Sequence, residues 1–386
     1  AVSCWPRFDN NRLVIAEDRL VVEKLVEFGR LGPRVGRATL TREKSLNSLS
    51  LATINMLTSK IDEWLKDDEI ACILLDSSSD RAFCAGADIT ALYHAIKEHD
   101  LTTVDEFFAQ EYRLDYKLHN AQKPILVWGN GIVMGGGLGL LSGCSHRVGT
   151  PDNRIAMPEI TIGLFPDAGA TWLLSQLPDN LGVFAGMTGC HLSAGDALEL
   201  HMIDFVIEQT RKASVLASLE AAPWKNADSY NHEILSELLK PHAYAARLPR
   251  QLLTHSESVS SLIDSANQSE DFFSTFETGL DDLTANDWLA GAAKNYFSGS
   301  ATTAWIFYEQ LQRVGLMSFA DTLRMELNIA CQCVRHPDFP EGVRALLVDK
   351  DRKPIWSFAS TAEVPKQYVL THFESLWHDH PLADLV

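Results

Sequence analysis

The chain has 386 residues, 46% of them hydrophobic, with a mean hydropathy of −0.06 and a net charge of −18. That length buries a large core, in one big domain with a second layer or in two domains. No apolar run approaches the roughly 20 residues of a membrane span, and the acidic balance opposes non-specific nucleic-acid binding, which needs clustered Lys and Arg.

Residues 1–20 read as irregular, and Val21 to Phe28 and Val35 to Leu40 as short strands joined by a Gly-Arg-Leu-Gly-Pro turn. Ile54, Leu57, Ile61 and Leu65 recur at helical spacing, in a helix entered through Leu46 to Ser50 with Ser50 as its cap. Ile70 to Leu75 is a continuous apolar run and so a buried parallel strand, which completes an α/β unit. Arg81 to Ile89 is then a small-residue loop opening a helix, with Asp88 near its favourable first turn. Val104 to Leu118 reads as a helix with Val104, Phe107, Phe108, Leu114 and Leu118 on one stripe. Glu111 falls on that stripe. A carboxylate there marks a helix end, a salt bridge, a mis-drawn stripe or a polar pocket, because burial without a partner is costly.

Ile125 to Trp128 has the composition of a buried strand, and Gly129 to Gly139 follows it, leading into a helix at Leu138, Leu140 and Leu141. A strand, a glycine turn and a helix aim backbone N–H groups at one point, and Gly135-Gly136-Gly137 clears the side chains from that backbone. The turn serves either helix-sheet packing or close approach to an anionic group. With the Arg81–Ile89 loop on the same sheet edge, two loops can each give one N–H to a single oxygen, the minimum for an oxyanion hole.

Arg154 to Met157 reads as a strand, and Ile162 to Gly169 leads into a helix over Thr171 to Leu177. Glu159 and Asp167 flank that apolar bend as a carboxylate pair suited to acid–base or nucleophilic work. Asp167 is equally placed to cap the following helix. Ser193 caps a short helix and Ile203 to Ile207 is a last strand. Beyond Thr210 the pattern is nearly all helical, with helices over Lys212 to Ala222, Tyr230 to Leu239, Val259 to Ala266, Asp287 to Phe297, Ala301 to Val314 and Phe319 to Cys333. The Ser- and acid-rich stretch from Ser256 to Asp282 reads as surface connections rather than a linker, since Leu262, Phe272, Phe273 and Phe276 still call for burial, and Glu341 to Asp351 reads as a basic-flanked helix with a polar turn.

The seven cysteines (Cys4, Cys72, Cys84, Cys144, Cys190, Cys331 and Cys333) are odd in number and scattered, which fits reduced thiols in a cytoplasmic or matrix compartment. Cys331-Gln-Cys333 has the wrong spacing for a zinc half-site, so no metal is expected. The N-terminus shows neither a signal-peptide core nor an Arg-rich presequence; since residue 1 is not Met, a removed presequence stays compatible with it. A nicotinamide fingerprint fails, because Gly129-x-Gly131 is followed by Gly135 and not by a glycine three positions on.

Leu46 to Leu49, Ala82 to Asp88, Glu111-Tyr112, Asn130 to Gly137, Met157-Pro158-Glu159, Gly163 to Asp167 and Glu341 to Ala345 together make the chain resemble the enoyl-CoA hydratase/isomerase (crotonase) superfamily over about residues 20–210. Phe165-Pro166-Asp167 and Glu341 to Asp351 carry the likeness on, over nearly the whole chain, to its branch of hydroxyacyl-CoA hydrolases. The resemblance implies an α/β fold, a crotonase-like ββα spiral over residues 1–209, and a mainly helical region over 210–386 that covers the active site. It implies hydrolysis of an acyl-CoA, 3-hydroxyisobutyryl-CoA of valine catabolism, with no cofactor beyond the CoA of the substrate. By the same likeness, the N–H groups of Ala87 and Gly136 hold the carbonyl oxygen, Glu159 is the catalytic carboxylate, Asp167 its acidic partner, and Glu111 meets the substrate hydroxyl. Lys44, Arg81, Ala85 and Ala87 would bind CoA, although a third family cation falls on Thr90. Hydratases of the family carry a second glutamate where this chain has Gly139, which argues against hydration; a single-base isomerase and a silent CoA binder remain the alternatives. Members of the family commonly form trimers; here a trimer, a hexamer or a monomer closed by its own helices is compatible with the sequence.

Overall fold

A computed structural model describes residues 24–386, so the irregular stretch over 1–20 and the start of the predicted first strand lie outside the described residues. The chain forms β1 (Val26–Leu31), β2 (Val35–Leu40), α1 (Leu51–Lys66), β3 (Cys72–Ser77), β4 (Ala82–Cys84), α2 (Ile89–Lys97) and α3 (Leu101–His119). It continues through β5 (Ile125–Gly129), β6 (Ile132–Met134), α4 (Gly136–Gly143), β7 (His146–Gly149), β8 (Arg154–Ala156), α5 (Ala170–Ser175), α6 (Leu181–Thr188), α7 (Ala194–Glu199) and β9 (Phe205–Val206). Helices follow: α8 (Lys212–Ala221), α9 (Asp228–Leu239), α10 (Ser256–Gln268), α11 (Phe272–Asp282), α12 (Asp287–Ser298), α13 (Ala301–Val314), α14 (Phe319–Cys333), α15 (Asp338–Val343) and α16 (Lys366–Thr371).

The larger sheet has the order β1-β2-β3-β5-β7-β9, parallel except for the β1–β2 hairpin. Its strands alternate between two cores. Ile73, Leu75, Ile125 and Val127 join the main cluster with α1 and α3, whereas Cys72, Leu74, Leu126 and Trp128 meet Val215, Leu219, Leu235 and Leu239 of α8 and α9. Both faces are therefore covered, as a parallel sheet requires. The expected strand at Ile70 to Leu75 runs two residues later, because Asp76 is held inside the sheet by Arg37, Thr39 and Lys212. The predicted caps are in place: Ser50 Oγ accepts from Thr53 N at 3.1 Å, and Ser193 forms a capping box with Asp196.

Several expectations are corrected. Arg81 to Ile89 is not all loop and the glycine stretch is not all turn: β4 and β6 lie inside them and pair with β8 in a second, three-stranded parallel sheet, order β4-β6-β8. Three-residue strands rich in Gly and Ala carry too little alternation to be read as strands. The connections expected between Ser256 and Asp282 are instead the helices α10 and α11, although the helix expected at Val259 to Ala266 lies within α10 and Leu262, Phe272, Phe273 and Phe276 are buried as expected. The helix at Glu341 begins earlier, at Asp338, and Arg344–Val348 widens into a π-helical turn in which Arg344 pairs with Glu341, Asp349 and Asp351. The last strand shrinks to β9.

Helix α15 joins the two halves of the chain. A side chain at Gly163 would come within 2.5 Å of the Asp338 carbonyl oxygen, and one at Gly342 would overlap the backbone of Ile162. On its other flank α15 packs on α2.

Candidate active site

The second sheet builds the backbone part of the site. Its strands run parallel, so the loops after β4 (Ala85 to Asp88) and after β6 (Gly135-Gly136) leave from the same end. Gly86 at φ 99° and Gly135 at φ 51° take conformations that favour glycine, and they stand against each other: a Cβ on Gly86 would lie 3.5 Å from both Gly135 Cα and Gly136 N. The strand-like pairing of Leu49 with Ala87 fixes the first loop from below, through Leu49 N to Gly86 O at 2.8 Å and Asp88 N to Leu49 O at 2.8 Å. Among the described residues the N–H groups of Ala87 and Gly136 donate to no backbone carbonyl. Two unspent donors on adjoining loops, one of them at the start of α4, form an electropositive corner.

Carboxylates surround that corner. Glu159 opens the 3₁₀ turn after β8 and is 6% exposed. Its Oε1 stands 2.9 Å from where a Gly135 Cβ would be, and its Oε2 has no hydrogen-bond partner among the described residues. Glu111 is buried on α3, and a side chain on Gly136 would overlap its Oε1. The third glycine of the triplet leaves no room either, since a Cβ on Gly137 would overlap the Cys84 carbonyl. The glycines are thus required both by the backbone approach and by the acids packed on it. Of the four readings of Glu111, three fail: it lies within α3 and not at its end, it is buried with the rest of the stripe, and no ion pair holds it among the described residues, while its Oε1 carries no partner.

Asp167 is not a helix cap. The N-cap of α5 is Gly169, and the Asp167 carboxylate instead accepts from the Tyr112 hydroxyl at 2.8 Å. The turn that carries it is strained, with Ala168 at φ 53° and Gly169 at φ 81°. A left-handed alanine costs roughly 1–2 kcal/mol.

Burial governs the ionisation of these groups. It lifts Glu159 well above the ordinary carboxylate range, helped by the charge of Asp167. Glu111 is lifted by burial and then by Asp167, Asp115 and Glu159. Asp167 rises to about 6, burial being offset by the hydroxyl of Tyr112. The charge of Asp167 acts on Glu159, so the two titrate together.

Lys44, in a 3₁₀ turn before α1, and Arg81, before β4, are exposed, while Ala85 and Ala87 are half-buried in the first amide loop; Thr90, which stands where the family resemblance has a third cation, is exposed on α2. Three participants escaped the sequence reading as site groups. Tyr112 was noted only as a neighbour of Glu111. Asp115, one turn after Glu111, is buried with neither oxygen partnered, and burial followed by Asp167 and Glu326 raises it well above its usual range. Its position four residues after Glu111 was the available signal. Glu326 on α14 is fully buried and had no local signal. A Cβ on Gly139 would lie 2.9 Å from Ala168 Cβ and 3.1 Å from Asp115 Oδ1, so this position has no space for a longer side chain.

The sequence matches the enoyl-CoA hydratase/isomerase family over residues 35–373. A chicken (Gallus gallus) protein named 3-hydroxyisobutyryl-CoA hydrolase, mitochondrial, is 33% identical over 88% of this chain and 86% of its own. The human protein of that name is 31% identical with the same coverage. Among solved structures, a carnitinyl-CoA dehydratase from Mycobacterium thermoresistibile superposes with a TM-score of 0.83 at 28% identity, covering 94% of this chain and 100% of its own. An enoyl-CoA hydratase from Rhodobacter sphaeroides gives 0.80, also at 28% identity, covering 92% and 98%.

Proposed function

The chain belongs to the enoyl-CoA hydratase/isomerase family, and we propose that within it this protein hydrolyses 3-hydroxyisobutyryl-CoA, a short branched hydroxyacyl-CoA thioester, to the free hydroxy acid and CoA. The observation that carries this reading is the placement of Glu159 against the junction of the two amide loops, with Asp167 beside it and no space at Gly139 for a further glutamate. The hydrolases of that name, aligned over most of both chains, support the substrate.

The thioester carbonyl oxygen takes the N–H groups of Ala87 and Gly136. Negative charge grows on that oxygen as the carbonyl is attacked, and two preorganised amides stabilise it by roughly 3–4 kcal/mol each. Glu159, ionised, either attacks the carbonyl carbon to give a mixed anhydride that water then opens, or takes the proton of an attacking water. Either way the C–S bond breaks, one water is consumed and the departing thiolate receives a proton. Asp167, the acidic partner, is held by the Tyr112 hydroxyl where its charge acts on Glu159. Glu111, beside Gly136, meets the substrate hydroxyl. Lys44, Arg81 and the backbone at Ala85 and Ala87 bind the CoA, and the reaction draws on no cofactor besides it.

The similarity to a dehydratase and a hydratase structure motivates a second reading, reversible addition of water across a double bond. Gly139, walled in by Ala168 and Asp115, is against it. The free, buried state of the six described cysteines fits a reducing compartment, the cytoplasm or a mitochondrial matrix. Among the described residues no helix is long and apolar enough to cross a membrane.

A thiol-release assay on a small panel of acyl-CoA thioesters separates the readings, because hydratase and isomerase chemistry frees no thiol. Glu159→Gln is expected to lower release from 3-hydroxyisobutyryl-CoA by about 10²-fold or more; near-normal turnover in that variant sinks the assignment.

A further inference from the structure

Asp167 is followed by two left-handed residues, Ala168 and Gly169, and the helix they open, α5, has no capping side chain of its own. The open N–H groups are taken from far away. Glu326 of α14 accepts from Gly169 N through Oε2 at 2.8 Å and from Thr171 N through Oε1 at 3.0 Å. Gln310 of α13 adds a hydrogen bond from Nε2 to Thr171 Oγ1 at 2.6 Å. Glu326 is fully buried, and burial lifts its carboxyl to about 8 against the pull of the Thr171 hydroxyl and the two N–H groups. A helix of six residues could be capped by a local Ser or Asp at a fraction of that desolvation cost. The bridge therefore calls for a purpose beyond ending a helix.

We propose that Glu326 is a positioning residue: by clamping the strained Ala168–Gly169 turn from the C-terminal helices, it holds the Asp167 carboxyl on Tyr112 and beside Glu159. This rests on the reading of Asp167 as the acidic partner of Glu159 in thioester hydrolysis. The mechanics follow from the geometry. A left-handed alanine relaxes toward a right-handed or extended conformation once nothing holds it, and that rotation would swing the preceding residue off the Tyr112 hydroxyl. The two N–H groups are taken by separate oxygens, which a carboxyl group supplies from one side chain.

The test uses the full chain, with thiol release and thermal unfolding read in parallel. Glu326→Gln keeps one acceptor and turns an NH₂ toward an N–H. It is expected to lower kcat by about 10²-fold with KM little changed. Adding Ala168→Gly, which takes the left-handed conformation without strain, is expected to return about a tenfold share of the lost kcat. Wild-type kcat in Glu326→Gln overturns the proposal, as does a loss that Ala168→Gly leaves in full. If Glu326→Gln does not fold, Glu326→Asp, too short to reach both N–H groups, is read by the same criteria. Absence of thiol release by the wild-type protein would overturn the hydrolase reading instead. The clamp is then judged on Tm alone: Ala168→Gly must raise the Tm of Glu326→Gln, and failure to do so overturns it.

Discussion

The site joins two constructions of opposite kind. The amide corner is made of backbone from two short loops, and its glycines are fixed by contacts a few ångströms away: Gly86 against Gly135 and Gly136, Ala87 against Leu49. The acid pocket is made of side chains brought from α3, the turn after β8, the Ala168 turn and α14, with Glu326 157 residues in sequence from the N–H it holds. The corner is rigid and cheap to build, since its donors are backbone groups that need no side-chain ordering. The pocket is expensive, as every member is a buried carboxyl that burial drives toward its neutral form. The difference suggests a division of labour. In the proposed hydrolysis, charge stabilisation would fall to backbone, where it costs little, and the desolvation cost would be concentrated on the groups that exchange a proton.

The contrast can be broken at Gly136, where both constructions touch. Gly136→Ala drives a methyl into Glu111 Oε1, and thiol release is expected to fall by about 10²–10³-fold; turnover within a few-fold of wild type would mean the acids are not packed on the corner. A smaller effect is expected for Asp167→Asn, about 10²-fold in kcat. Its sharper signature is in the pH profile. The proposed hydrolysis uses ionised Glu159, whose carboxyl is held above the ordinary range by burial and then by the charge of Asp167. The wild-type rate thus rises with pH above the carboxylate range of about 4, and removing that charge moves the rising limb to lower pH. A limb that stays put dissociates the pair. The smallest effect belongs to Asp115→Asn, which is expected to alter stability more than rate. Asp115 binds its proton more tightly folded than unfolded, so it costs stability as pH climbs above the unfolded value of about 3.9. The Tm of the variant relative to wild type should therefore increase from pH 5 to pH 8, by roughly 2–4 °C. A difference independent of pH would show that Asp115 is not buried as a lone acid.

These two constructions also explain what could be read from the sequence. The amide corner was legible because its signals are local: a glycine triplet after an apolar run and a small-residue loop after another. The small strands β4 and β6 inside them were not, since three residues give no period. Glu111, Glu159 and Asp167 stood out as carboxylates in apolar surroundings, but the choice of Asp167 as cap or site group depended on Tyr112, 55 positions away in sequence. Glu326 looked like any acid on an amphipathic helix. Only the folded chain turns α14 so that this one faces inward.

The backbone contacts of α15 carry one more consequence. Gly163 and Gly342 bring this helix so close to the 3₁₀ turn of Glu159 that neither can shift without the other, and the same helix leans on α2, which grows directly out of the Ala87 loop. Fluctuations that loosen α15 thus reach the acid and the amide side together. The acid and amide sides share one support, and local opening at α15 would take both apart as one cooperative event instead of one side at a time.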